Sequence, residues 1–200
     1  DSGLGSHFIV AGQEDIFIAK YDLNGALLWV NVLISEGGNT AFEIILDNDG
    51  NVLLLGSITS DVDFDPGTGT AIVQVQSGTA NQMIIAKYDS DGNYLWVKNV
   101  GGAFAILGKD LAIDQFNNIY SIGSFYDSID IDPGPLEYNL TSNDLAIFFA
   151  KYSENGDFIW AKQIPGIGNL GGATDIEISS NGNIFIAGYF GNLVDFDPSV

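Results

Sequence analysis

Three copies of one pattern occupy almost the whole chain, and a repeat of this length restricts the architecture before any single residue does. Ala19-Lys20-Tyr21-Asp22, Ala86-Lys87-Tyr88-Asp89 and Ala150-Lys151-Tyr152-Ser153 head successive copies, about 65 residues apart. Trp29, Trp96 and Trp160 follow at the same offset. The pairs Asp63/Asp65, Asp130/Asp132 and Asp195/Asp197 then recur, each enclosing one apolar residue and followed by proline. The chain therefore reads as a single repeat domain over 1–200, with copies at about 14–81, 82–143 and 144–200.

Within a copy, short runs of Ile, Val, Leu, Phe and Tyr alternate with turn residues, and no helical period is sustained. Ile16 to Tyr21 runs through Asp22-Leu23-Asn24-Gly25 into Ala26 to Val32. Asn-Gly between apolar runs predicts a hairpin, because both residues tolerate positive φ. Asp89-Ser90-Asp91-Gly92 and Ser153-Glu154-Asn155-Gly156 repeat this turn. A second hairpin spans Phe42 to Leu46, Asp47-Asn48-Asp49-Gly50 and Asn51 to Ile58, with counterparts turning at 114–117 and 179–182. Two hairpins make four strands per copy. The predicted fold is all-β: a β-propeller of four-stranded antiparallel blades, with three blade equivalents here as part of a larger ring or assembly. An insertion from Val62 to Gln82 carries the Asp-x-Asp-Pro stretch. An open β-solenoid is the rival, though solenoid coils are usually shorter than this repeat.

Charge excludes several partners. Against 26 Asp and Glu stand six lysines and no arginine, a net charge of −20. Phosphate backbones and anionic membranes need a basic face, so neither nucleic acid nor membrane insertion is expected. No apolar run approaches the roughly 18–20 residues of a membrane span. So acidic a surface recruits cations, calcium first among them. There is no cysteine, and the single histidine, His7, reads as a surface residue rather than a ligand or base. Gly37-Gly38, Gly101-Gly102 and Gly171-Gly172 are not phosphate loops, because no helix follows to offer its amides.

The run Ala-Lys-Tyr-Asp-x-Asn-Gly-x-x-x-Trp, then Asp-x-x-Gly-Asn before an apolar strand ending in Gly-Ser, then Val-Asp-Phe-Asp-Pro-Gly, resembles the SBBP type of bacterial β-propeller repeat. The resemblance covers residues 8–200. It implies a secreted or cell-surface setting and a scaffold or binding role, and it supplies no catalytic residue.

The Asp-x-Asp-Pro stretches are the best chemical candidates. In extended backbone, residues two apart point the same way, so Asp63 and Asp65 converge, as do Asp130 and Asp132, and Asp195 and Asp197. Asp61 extends the first set and Asp127 stands near the second. These eight aspartates are the candidate calcium ligands; calcium takes about 6–8 oxygens, so backbone and water must complete the shell. The competing reading is that they cap loop amides and hold a sharp turn.

Trp29, Trp96 and Trp160 are expected to pack between blades rather than stack on sugars. Lys20, Lys87 and Lys151 are expected in structural ion pairs. The hairpin leading to each tryptophan looks like the Asp-box of sialidase propellers, but its opening Ser or Thr is missing or displaced and arginine is absent, which removes that enzyme. Asn139-Leu140-Thr141 matches a glycosylation acceptor without further support.

The expected function is thus that of a non-enzymatic extracellular structural or adhesive propeller module, calcium-stabilised and self-assembling. A glycan- or protein-binding module of a larger secreted protein is the alternative, and a hydrolase comes third. Residues 14–33 hold a hairpin whose blade partner should precede it, and residues 173–191 hold the opposite kind. Such halves complete a blade either between copies of the chain or with further blades of a longer one.

Overall fold

The computed structural model describes residues 14–75, 81–101, 106–166, 171–191 and 193–198. His7 and Gly102 lie outside them. All regular structure among the described residues is β.

In chain order, β1 (Ile16–Tyr21) and β2 (Leu27–Leu33) form a hairpin, followed by β3 (Thr40–Leu46) and β4 (Val52–Ile58). The insertion contributes the ribbon β5 (Val62–Asp63) and β6 (Ile72–Val73). Then come β7 (Gln82–Tyr88), β8 (Tyr94–Val100), β9 (Ile106–Ile113), β10 (Ile119–Asp130), β11 (Asn139–Tyr152), β12 (Phe158–Ile164), β13 (Gly171–Ile178) and β14 (Ile184–Phe190). Two four-stranded antiparallel sheets result, ordered β3-β4-β7-β8 and β9-β10-β11-β12. Two-stranded sheets, β1-β2 and β13-β14, flank them. Pairing within separate stacked sheets is propeller architecture, not a continuous coil.

Sequence copy and blade are out of phase. The first complete blade takes its inner hairpin, β3–β4, from one copy and its outer hairpin, β7–β8, from the next; the second repeats this with β9–β10 and β11–β12. In the first blade the insertion folds as the separate β5–β6 ribbon. In the second it simply prolongs β10 and β11, bending at a register shift where Asp127 takes φ 67°.

The hairpin turns explain why these segments stop. Asp22 Oδ1 accepts the amides of Asn24 and Ala26 at 2.8 Å each, and Gly25 N donates to Asp22 O at 3.0 Å. Asp47 and Asp89 do the same, and Ser153 and Ser179 use their hydroxyls. Only the fourth residue enters the left-handed region, as Gly25, Gly50, Gly92, Gly156, Gly182 or Asn117. The Asn-Gly pair therefore predicts these hairpins for a reason the geometry changes: Asn24 and Asn155 keep negative φ, and one left-handed residue with a bulge beyond it replaces a two-residue primed turn.

Three apolar layers hold the sheets face to face. Ile16, Ile18 and Leu33 pack on Val52, Leu54, Ile84 and Tyr88. Leu53, Leu55, Met83 and Ile85 pack on Ile106, Leu111, Phe148 and Ala150. Ala112, Tyr120, Ile122 and Phe149 pack on Ala173 and Ile176. Central strands are covered on both faces, which accounts for the unbroken apolar run Val52-Leu53-Leu54-Leu55 where a half-exposed strand would alternate.

Candidate functional site

The Ala-Lys-Tyr motif joins neighbouring blades. Lys20 Nζ donates to Ser90 O at 2.6 Å, and Trp29 Nε1 to the same carbonyl at 3.2 Å. Asn31 Nδ2 donates to Gly92 O at 2.6 Å. The next copy repeats the latch: Lys87 Nζ reaches Glu154 O at 3.4 Å, and Lys98 Nζ reaches Asp157 at 3.0 Å. Trp96 lies over Gly156, whose Cβ, if it had one, would sit 3.1 Å from the indole Cη2. Trp29 and Trp96 are thus inter-blade residues as expected, but half-buried, because each covers a turn at the rim and not the centre of a sheet; Trp160, also half-buried, packs edge-on against Tyr120 and Phe149 of its own blade.

Two of the three lysines make the expected ion pairs. Lys87 Nζ lies 2.8 Å from Asp47 Oδ2, and Lys151 Nζ lies 3.2 Å from Asp114 Oδ2 and 4.8 Å from the Tyr120 ring centroid. Burial pushes the Asp47 carboxyl up, but Lys87 and the Asn51 side-chain and backbone amides outweigh it and hold Asp47 below the usual range. Lys20 has a turn carbonyl in place of a carboxylate.

In both complete blades the motif tyrosine closes the Asp-x-Asp-Pro loop, a role its sequence did not announce. Tyr88 Oη donates to Phe64 O at 3.0 Å, and Tyr152 Oη donates to Ile131 O at 3.1 Å. Burial pushes both phenols up. The apolar residue between the paired aspartates was the available signal, since its side chain must point opposite to theirs, into the sheet.

The candidate calcium ligands serve these loops. Asp63 Oδ1 accepts from Asp65 N at 3.1 Å and Ala71 N at 2.7 Å; Asp130 Oδ1 accepts from Asp132 N at 3.1 Å and Tyr138 N at 2.9 Å. Asp65 and Asp132 accept from Gly67 N and Gly134 N at 2.8 Å each. Asp61 caps Val75 N at 2.9 Å, and Asp195 caps Asp197 N at 3.0 Å. Asp127 marks the bulge. Among the described residues, no three Asp, Glu or His side chains converge as a metal site.

One pair of carboxylates lies elsewhere. Asp110 in β9 accepts from Ile176 N of β13 at 2.8 Å across the blade seam, with Asp175 beside it. Burial and the hydrogen-bonded Asp175 carboxyl push Asp110 up to about 6. Glu43, Asp110 and Asp175 each stand four residues before an inner turn, a periodicity visible in the sequence. With its folded value above the ordinary 3.8, Asp110 makes its carboxyl bind protons more readily in the folded state. Its stability contribution therefore grows as pH falls from about 6 toward 4. Asp110→Asn should raise the melting temperature at pH 7–8 and remove this component, as melts across pH 4–8 would show; an unchanged pH profile refutes it.

The half-blade β13–β14 leaves large apolar side chains open to solvent. Phe185, Tyr189, Phe190 and Phe196 are 57–63 % exposed, whereas their counterparts Leu53, Ser57, Ile58 and Phe64 in the first complete blade are at most 4 % exposed. Beside them lies an open cleft of about 340 Å³, lined by Ile147, Ile164, Ile186 and Phe190 among others.

No protein-family profile matches the chain. It is 29 % identical, over 94 % of its length, to an uncharacterized WD repeat-containing protein of Acanthamoeba polyphaga mimivirus. The chain spans 15 % of that relative's length. Stacked four-stranded antiparallel blades and likeness to a WD repeat-containing protein together make this a chain of β-propeller repeats.

Proposed function

We propose that the chain is a non-enzymatic protein-binding propeller module that works by blade completion, an outer hairpin from a partner or a neighbouring repeat adding to the edge of β14 that no described strand covers. The open β13–β14 half-blade carries the reading: in both finished blades the same edge is covered by an outer hairpin along the whole of β4 or over Ile119–Phe125 of β10. Strand addition supplies affinity through main-chain hydrogen bonds and selectivity through alternate side chains. The residues repeated in all copies serve turns, latches and loops, which supports a role without catalysis. The SBBP type, a bacterial origin and a secreted or cell-surface setting rest on the motif resemblance and belong to the proposal. A structural or adhesive role follows if the partner is permanent.

A chain extended after Phe190 by a duplicate of residues 59–101 tests this, since that segment carries the next outer hairpin of the repeat. Expected are a higher melting temperature and at least about ten-fold slower amide exchange in β14, as closing an edge requires. Unaltered β14 exchange would end the reading.

Calcium binding by the Asp-x-Asp-Pro loops is a separate proposal, supported by the charge of −20 and the three recurring pairs. Calcium at about 1 mM should raise the melting temperature, and Asp63→Asn with Asp65→Asn should shrink the shift. Identical melts in calcium and chelator would leave the loops as turns.

A further inference from the structure

We infer that the seam between the second complete blade and β13–β14 holds a binding cleft for a neutral sugar residue, formed by the inner turns 114–117 and 179–182. The cleft is separate from the edge of β14 and stands on a difference between two equivalent seams.

Between the two complete blades the inner turns are zipped together. Asn117 Oδ1 accepts from Asn48 N at 2.9 Å and from Asn48 Nδ2 at 2.6 Å, while Asn117 Nδ2 donates to Asp49 Oδ2 at 2.8 Å. Asn48 Nδ2 also donates to Asp114 O at 3.0 Å. The next seam replaces every member of this zipper. Gln115 stands where Asn48 does, Phe116 where Asp49 does, and Gly182, with no side chain to bridge, where Asn117 does. Among the described residues no hydrogen bond joins these two turns, and the Ser179 hydroxyl bonds Asn181 and Asn183 beside it. A cleft of about 360 Å³ opens between them instead. A Cβ added at Gly182 would meet nothing within 4 Å.

The lining selects the ligand. Asp114 already accepts from Lys151, from the Asn118 side chain and from the amides of Phe116 and Asn118. The Asp114–Lys151 pair therefore leaves the cleft without net charge, and the chain's −20 repels anions. The groups that remain open are neutral. Gln115 and Ser180 have no side-chain hydrogen-bond partner among the described residues, and Asn181 keeps its amide N–H donors because its bond to Ser179 uses Oδ1. Beside them the Phe116 ring is 71 % exposed, at a turn position where the other inner turns carry Asp49 and Asn181. A pyranose matches both halves of this surface: its C–H face lies on the ring and its hydroxyls bond the amides and the serine. A purely apolar ligand would leave those polar groups unpartnered.

A further outer turn leaves this cleft in place. Between the complete blades the outer turn 153–157 bonds Lys87 and Lys98, while the inner zipper is made by Asn48, Asp49 and Asn117. By the same register an outer turn beyond β14 would meet Lys151 and Lys162 and wall the cleft on its lysine side. Gln115, Phe116 and Gly182 keep their positions.

Saturation-transfer NMR with the methyl glycosides of glucose, galactose, mannose and N-acetylglucosamine, each at up to about 50 mM, tests the cleft in the chain and in the form extended after Phe190. At least one glycoside should bind both forms with a dissociation constant of about 1–10 mM. Phe116→Ala should weaken binding at least about ten-fold and leave the melting temperature unchanged, since the ring is 71 % exposed. Gln115→Asn combined with Gly182→Asn keeps Phe116 but restores the asparagine pair of the neighbouring seam, and asparagine tolerates the φ of 84° at position 182. That variant should raise the melting temperature and abolish binding. The inference is overturned by no binding of any of the four, by preference for methyl glucuronide, by binding that survives either variant, or by binding that the extended form loses. Amide exchange in β14 reports on blade completion independently of all these results.

Discussion

Tyr152→Ala should cost about 3–5 kcal/mol, the range for truncating a buried aromatic. Tyr152 is 1 % exposed, packs edge-on against Phe158 at 6.2 Å and donates to Ile131 O at 3.1 Å. Alanine removes the ring from the layer between the two complete blades and unties the Asp130–Pro133 loop. Tyr152→Phe separates the two effects. It keeps the ring but orphans a buried carbonyl, for about 1–3 kcal/mol. Tyr21→Ala should stay within about 0.5 kcal/mol, since Tyr21 is 58 % exposed. Denaturant midpoints give all three, and equal losses for Tyr21 and Tyr152 would show that the motif acts through its strand and not through the loop.

Lys87→Ala should cost a similar amount, about 3–5 kcal/mol, by stranding a buried carboxylate. The side chains of Lys87 and Asp47 are 9 % and 1 % exposed. Asn51 continues to bond Asp47 at 2.8–2.9 Å but brings no charge. Lys98→Ala is the contrast: its partner Asp157 is 71 % exposed, and such pairs contribute less than about 1 kcal/mol. The pH dependence has a definite sign. Asp47 is held below its ordinary value when folded, so its contribution is complete above that value and disappears as pH falls through the lowered one. Wild type and Lys87→Ala should therefore converge in acid. Urea melts at pH 7 and at pH 3 test this, and a gap that persists undiminished at pH 3 would mean that Lys87 acts by packing alone.

Much of the fold was legible because its signals are local. Asp22 to Gly25 close a turn through hydrogen bonds spanning at most four residues, so every hairpin could be read from turn residues between apolar runs. Repetition then placed the hairpins in blades, and the complementary half-blades followed from counting them. What the chain determines alone is therefore the strands, their turns and their repetition. The interactions that tertiary structure decided join residues 21 to 70 positions apart. The half-burial of Trp29 and Trp96 depends on a turn supplied by the next copy. The Tyr152–Ile131 bond depends on a loop folding back beneath its own blade. The Asp110–Asp175 contact exists only because two inner strands meet at a seam. Composition marked aspartates as numerous, but an oxygen that caps an amide and one left free for a cation have the same letter. Only the placement of the backbone amides around Asp63 and Asp130 gave those oxygens their partners, because hydrogen bonding is settled by position within a few tenths of an ångström and not by residue type.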